Sequence, residues 1–281
     1  MNLRKSIKKL VYGRAGYLPY MGTRIYFPPN AFILEEVCAH GIYEEHILQH
    51  IRDAVVPGTW YFDAGANTGF LSVPILRIFP DVKVLSFEPS PNTKAYLQRT
   101  WRASPWQDRW TIVNKAVGDH SGEVEFSVSD STLGGYDGLK DTKRVASRGK
   151  EIVPMTTLDE EWRTLGRPRV SCIKMDVEGA EMLALNGARE LIGANHPWIF
   201  LEWYKENFQW FGNEAKDLLD AADELGYELV SLRNLSVIRS TPVLTMQMRV
   251  TSAFVLAPRD PAPAFELQDA MAGAGRVGRK G

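Results

Sequence analysis

Acidic residues recur in this sequence at the ends of apolar runs. Trp60-Tyr61-Phe62 ends in Asp63, and Ala64-Gly65-Ala66-Asn67-Thr68-Gly69 follows. Val82-Lys83-Val84-Leu85-Ser86-Phe87 ends in Glu88, with Pro89 behind it. Val170-Ser171-Cys172-Ile173-Lys174-Met175 ends in Asp176, followed by Val177-Glu178-Gly179-Ala180-Glu181. A carboxylate can accept hydrogen bonds, pair with a cation or take up a proton. Gly65, Ala66 and Gly69 make a tight small-residue turn, and glycines let a ligand approach the backbone closely. In an open parallel sheet, ligands bind beyond the carboxyl ends of the strands, where such a turn leaves the sheet.

Two nucleotide-type ligands use a bend of this kind. A nicotinamide dinucleotide needs a glycine-lined helix N-terminus for its pyrophosphate, usually as G-x-G-x-x-G. Here Asn67 stands where a close-approach glycine belongs, and Asp63 is a poor neighbour for a pyrophosphate. S-adenosylmethionine has no phosphates and carries an ammonium and a sulfonium, so a nearby carboxylate suits it. Glu88, about twenty residues past the loop, is placed to accept ribose hydroxyls from either cofactor. The loop therefore decides, and it favours the sulfonium.

These residues need a sheet to hold them. Trp60 to Asp63, Val82 to Glu88, Thr111 to Val117, Val170 to Asp176 and Trp198 to Glu202 read as strands. Helical spacing covers 41–54, the stretch after Gly69, Thr93 to Thr100, Ala180 to Ile192 and Asn213 to Leu225. Strand and helix alternate, which predicts an α/β fold with a mostly parallel sheet and helices on both faces. Glu123 to Val128 alternates as an edge strand would, and Glu151 to Leu158 is a short strand-like entry. Tyr227 to Leu232 and Arg249 to Leu256 are expected at the antiparallel edge of the sheet. Ser129 to Lys150 is polar and aperiodic, and reads as a mobile flap over the site or as disorder. Residues 1–40 read as a basic, then irregular extension, 41–257 as the domain and 258–281 as a disordered tail.

Composition excludes little. Lys plus Arg number 33 against 34 Asp plus Glu, a balance that gives no reason to expect a nucleic-acid partner. Cys38 and Cys172 are the two cysteines, too few for a disulfide framework, so a reducing, cytoplasmic setting fits. No run is long enough to span a bilayer, and the basic N-terminus lacks the apolar core of a signal peptide. Leu3, Ile7, Leu10 and Val11 share a helix side opposite lysines, a surface helix or a peripheral membrane contact. His46 and His50 are four apart, but no third metal ligand accompanies them. Trp101, Trp106 and Trp110 read as packing rather than as a ligand cage.

Asp63-x-Gly65-Ala66-Asn67-x-Gly69, Phe87-Glu88-Pro89-x-Pro91, Ala116-Val117-Gly118-Asp119 and Lys174-Met175-Asp176-Val177-Glu178-Gly179-Ala180-Glu181 stand in one order. Together they resemble the FkbM family of methyltransferases, over about residues 40 to 256. The resemblance implies a class I, Rossmann-like methyltransferase fold with a seven-stranded sheet whose last strand is antiparallel. It also implies S-adenosylmethionine as donor and a hydroxyl oxygen as acceptor, on a sugar, glycan or secondary metabolite. Carried over, Asp63, Gly65, Ala66, Asn67 and Gly69 would hold the methionine part, and Glu88 the ribose. Pro89 and the segment from Asn114 to Ala116 would flank the adenine. As plain alternatives, Asp63 and Asp176 would cap helices and Glu88 would be a solvated strand end.

Methyl transfer from a sulfonium is an in-line displacement, and the protein must align oxygen, methyl and sulfur. A base then takes the proton as the O–H bond loosens. Asp176 and Glu178 leave a strand end together, and Glu178 is the preferred base. The two carboxylates would otherwise bind a divalent cation that lowers the pKa of the alcohol. Glu181 caps or pairs. Acceptor recognition falls to Ser129–Lys150 and to Glu202–Phe211, unless Trp203, Phe208 and Trp210 pack inward. A non-catalytic cofactor-binding protein of the same fold and a nicotinamide-dependent oxidoreductase are the rival readings.

Overall fold

The computed structural model describes residues 10–29, 31, 33–130 and 135–260 of the chain. A hairpin, β1 (Tyr17–Tyr20) and β2 (Thr23–Tyr26), precedes helices α1 (Ile33–His40) and α2 (Glu45–Ala54). Next come β3 (Trp60–Ala64), α3 (Ser72–Ile78), β4 (Lys83–Phe87), α4 (Lys94–Ala103) and β5 (Trp110–Val113). A side sheet contains β6 (Ala116–Val117), β7 (Gly122–Ser129) and β8 (Ser147–Thr156). The chain continues through α5 (Leu158–Thr164), β9 (Val170–Met175), α6 (Glu181–Asn186), α7 (Arg189–Asn195) and β10 (Trp198–Glu202). Then follow α8 (Lys205–Phe208), α9 (Ala215–Leu225), β11 (Tyr227–Ser231), β12 (Val237–Ile238), α10 (Thr241–Gln247) and β13 (Ala253–Pro258).

The main sheet runs β12-β11-β13-β10-β9-β3-β4-β5. From β10 to β5 every neighbouring pair is parallel, and β13 is antiparallel to both β10 and β11. This is the mixed, mostly parallel α/β sheet the sequence predicts, with the two-residue β12 added outside it. β11 and β13 form the antiparallel side of the sheet, as the sequence leads one to expect, with β13 inserted between β10 and β11. Its six residues are all buried, so an inner position removes the most apolar surface from water.

Alternation along the strands explains the two layers. Tyr61, Val84, Cys172, Phe200 and Val255 enter one core, with residues of α1 to α4. Their immediate successors Phe62, Leu85, Ile173, Leu201 and Leu256 enter the other, with residues of α5, α6, α7, α9 and α10. Successive strand side chains point to opposite faces, so runs apolar at every position demand helices on both sides.

Four expectations change. The strand expected over 111–117 is two: β5 ends at Val113, and β6 pairs with β8 in the side sheet. The helix expected over 180–192 divides into α6 and α7 around Gly187, whose Cα faces the Gly118 carbonyl too closely for any side chain. The entry strand expected at 151 starts at Ser147 and pairs with β7. The boundary expected at residue 40 has no counterpart in the packing. Leu18, Ile25, Phe27, Leu34 and Val37 are buried in the same core as Tyr61 and Phe70. Thr23 Oγ1 donates to the Ala103 carbonyl at 3.2 Å, and Thr100 Oγ1 accepts from the Tyr26 amide at 3.0 Å. Residues 1–9 and 261–281, with most of the N-terminal amphipathic pattern and the tail, lie outside the described residues.

Candidate active site

A cavity of about 330 Å³ lies beyond the carboxyl ends of β4, β3, β9 and β10, where Glu88, Gly65, Asp176 and Glu202 line it. The loop after β3 is shaped by its own backbone. The amides of Gly65 and Ala66 donate to the Phe87 carbonyl at 3.1 and 2.9 Å, and that of Gly69 to the Ala66 carbonyl at 2.8 Å. Asn67 takes a left-handed φ of 52°, and its amide donates to Glu88 Oε2 at 2.7 Å. Glu88 Oε1 accepts from the Ser90 amide at 2.8 Å, so the carboxylate joins the ends of two neighbouring strands. Burial pushes its pKa up to about 7, against these bonds.

Asp63 is fully buried; Ser72 Oγ donates to its Oδ2 at 2.5 Å, and Lys174 Nζ stands 3.8 Å from its Oδ1. Burial raises its pKa, and the Lys174 ammonium opposes the rise. Lys174 also lies 3.3 Å from Asp176 and donates to the Gly65 carbonyl at 2.8 Å. Burial lowers the pKa of the amine, but Asp176, Asp63 and Glu44 outweigh it and keep the ammonium charged.

Glu178 takes a left-handed φ of 55°, a strained conformation for its residue type of the kind that gathers at functional sites. Its Oε2 accepts from Arg144 Nη1 at 2.9 Å and from Asn207 Nδ2 at 2.9 Å. Arg144 also donates to Asn207 Oδ1 at 3.1 Å, and its guanidinium lies 4.7 and 4.9 Å from the rings of Tyr136 and Tyr204. Burial raises the pKa of Glu178, Asp176 and Glu202 add to the rise, and Arg144 opposes it. Glu202 accepts from Ser252 Oγ at 3.0 Å, and burial beside Asp176 pushes it up to about 7. Glu181 is buried and accepts from the amides of Val177 and Gly179 at 3.1 and 3.3 Å, which fixes the loop that carries Glu178.

Of the residues singled out from sequence, Asp63, Gly65, Ala66, Asn67, Glu88, Pro89, Ala116, Asp176 and Glu178 line this cavity. Gly69 and Asn114 are not part of its wall. Gly69 faces the Trp110 ring and Leu97, which an added Cβ would crowd at 3.0 to 3.2 Å. Trp203 is fully buried and stacks on Phe208 at 4.3 Å, so both are core residues; Trp210 is exposed. Trp110 is buried and donates to Ser86 Oγ at 2.8 Å, which supports packing for that cluster.

Several residues of the cavity were not singled out from sequence. Glu202 brings a carboxylate oxygen within 4.8 Å of those of Asp176 and Glu178, the third ligand a cation would need. Its signal was available, since it too ends an apolar strand. Glu44, at a φ of 43°, arrives from the segment between α1 and α2; burial beside Asp176 pushes it up to about 8. Arg144 and Asp137 come from the polar stretch read as a flap. Asp137 accepts from Ser90 Oγ, Asn92 Nδ2, and the Ser129 amide and hydroxyl, at 2.5 to 2.9 Å.

A family model described as the methyltransferase FkbM domain matches residues 63–229. The chain is 26% identical over 187 residues to the methyltransferase sdnD of Sordaria araneosa, covering 57% of this chain and 72% of that protein. It is similar to the solved methyltransferase FkbM from Methylobacillus flagellatus KT, with 15% identity and a TM-score of 0.48. That match covers 90% of this chain and 59% of the other, so the chain spans less than two thirds of that structure's length. A precorrin-6y C5,15-methyltransferase from Geobacter metallireducens GS-15 matches with 10% identity and a TM-score of 0.41, over 66% and 72% of the two chains.

Proposed function

The chain belongs to the FkbM methyltransferase family, and from that premise we propose that it moves the methyl group of S-adenosylmethionine to a hydroxyl oxygen of a sugar, glycan or secondary metabolite. The carrying observation is the charge of the cavity. Eight carboxylates line it against three cations, Lys115, Arg144 and Lys174, which suits a ligand bearing a sulfonium and an ammonium. The cofactor supplies an activated methyl group.

Glu88 would accept the ribose hydroxyls, its carboxylate oriented by the Asn67 and Ser90 amides. Gly65 gives a close approach along the loop, with Ala66 and Asn67 beside it, and Pro89 and Ala116 flank the far end. Asp63 acts from behind, by orienting Lys174 and through it the loop. At the acceptor end Glu178 takes the proton. Arg144 and Asn207 both donate to its Oε2, which leaves Oε1 for the substrate. Glu178→Gln should lower turnover by about two orders of magnitude or more with cofactor affinity retained. Equal turnover in Glu178→Gln and wild type would remove Glu178 as base.

The mutual approach of Asp176, Glu178 and Glu202 supports a second reading. In it the three hold a divalent cation that lowers the pKa of the hydroxyl. Turnover that survives exhaustive chelation would exclude it. No helix among the described residues is long and apolar enough to cross a membrane. The buried thiols Cys38 and Cys172 support a reducing compartment, and we place the protein in the cytoplasm on that ground.

A further inference from the structure

We propose, on the basis of the methyltransferase reading above, that the acceptor is uncharged or cationic around its reacting hydroxyl and carries no phosphate, sulfate or carboxylate there. Where the acceptor is a sugar whose anomeric carbon lies beside that hydroxyl, the glycosyl transfer that releases its nucleoside diphosphate must then come before methylation.

A site for an anion needs a guanidinium, an ammonium or a set of unspent backbone amides. Among the described residues, each cation of the cavity is already engaged. Lys174 serves Asp63, Asp176 and the Gly65 carbonyl. Arg144 is held by Glu178 and Asn207 between two tyrosine rings. Lys115 pairs with Glu161 at 2.8 Å.

Several backbone donors of the two loops are spent as well. The amides of Gly65, Ala66, Asn67 and Gly69 all donate to protein oxygens, and Asn67 donates to a carboxylate. After β9 the amides of Val177 and Gly179, which would form a second anion nest, are occupied by Glu181. Four of the five amides from Gly65 to Gly69 are thus turned to protein partners.

Repulsion completes the exclusion. Glu44, Asp176, Glu178 and Glu202 crowd the acceptor end, and each of Glu44, Glu178 and Glu202 is raised by burial and by the Asp176 charge. A phosphate placed among them would meet like charge at every acid that ionises and find no cation free to pair with it, which is how a site rejects a wrong substrate. A hydroxylated ring meets acceptors for its O–H groups instead, and an amino group would find counter-charges.

The test uses the full chain saturated with S-adenosylhomocysteine, whose binding is measured first. It is then titrated calorimetrically with UDP-glucose, with ionic strength held constant by KCl. In parallel, methyl-labelled S-adenosylmethionine is offered with pairs of sugar nucleotides and the matching methyl glycosides and amino-glycosides. The expected result is no saturable UDP-glucose binding tighter than about 1 mM, and label only in members without phosphate. Saturable UDP-glucose binding that Arg144→Gln abolishes, or label in any nucleotide-linked sugar, overturns the inference. If no member takes up label, the titration decides alone. Failure of S-adenosylhomocysteine to bind, seen at the first step, brings down the methyltransferase reading itself and is thereby distinguished.

Discussion

The Lys174 ammonium donates to the carbonyl oxygen of Gly65 across 2.8 Å, from a side chain only 8% exposed. A buried cation on β9 thus fixes the turn that leaves β3, while neutralising Asp63 and Asp176 on either side. Lys174→Met should leave the buried Asp63 carboxylate, and the partly exposed Asp176 beside it, without a counter-charge. The expected loss is about 3–5 kcal/mol in chemical denaturation, the range for breaking a buried ion pair by removing one partner. A loss under about 1 kcal/mol would show that the loop is held by other means.

Gly65 has a φ of 79°, and a Cβ on it would sit 1.9 Å from the Asp176 carbonyl oxygen. Gly58 has a φ of 76° with nothing near its added Cβ, and serves as a control. Gly58→Ala should cost about 1–2 kcal/mol, the left-handed penalty alone. Gly65→Ala should cost more and abolish cofactor binding, because β9 must move away from the loop. Equal effects of the two on stability and on binding would refute the close approach.

Glu88→Gln keeps the shape of the side chain and removes its charge. Hydrogen bonds to a charged group are worth about 1.5–3 kcal/mol, so S-adenosylmethionine affinity should fall by about 10- to 100-fold in calorimetry. The effect should be nearly the same for S-adenosylhomocysteine, since the ribose is common to both.

Binding should also depend on pH, with a sign that follows from the acids. Glu88 and Glu202 lie near 7, and Glu44 and Glu181 near 8, all above the ordinary 4.5 and all mainly through burial. Between these values the folded chain binds more protons than the unfolded one, so stability without cofactor should fall as pH rises from about 4.5 to about 8. A cationic ligand favours the ionised acids. S-adenosylmethionine affinity should therefore rise from pH 6 to pH 8 with release of protons, measured by calorimetry in buffers of different ionisation heat. Proton uptake, or affinity independent of pH, would contradict the charge assignment.

Asp63, Glu88 and Asp176 could be found in the sequence because each stands within one residue of the end of an apolar strand, and a parallel sheet brings such ends together. Glu202 carries the same signal and escaped because its aromatic neighbours suggested an acceptor surface, whereas Trp203 is core. Lys174 was an equally plain anomaly, a charge inside a buried strand. Glu44, Asp137 and Arg144 were not legible. They reach the cavity from irregular segments, whose paths depend on tertiary contacts such as Asp137 with Ser90 and Arg144 with Glu178. The alternation of apolar residues indicated helices on both faces. It could not indicate that β13 slots between β10 and β11, since strand order is settled by packing between distant segments.

The most direct test is a crystal structure of the protein with S-adenosylmethionine bound. The expected density has the ribose on Glu88, the methionine part along Gly65, Ala66 and Asn67, and the methyl group facing Glu178. Density for the cofactor elsewhere, or none at a concentration that saturates other members of the family, would contradict the assignment of this cavity.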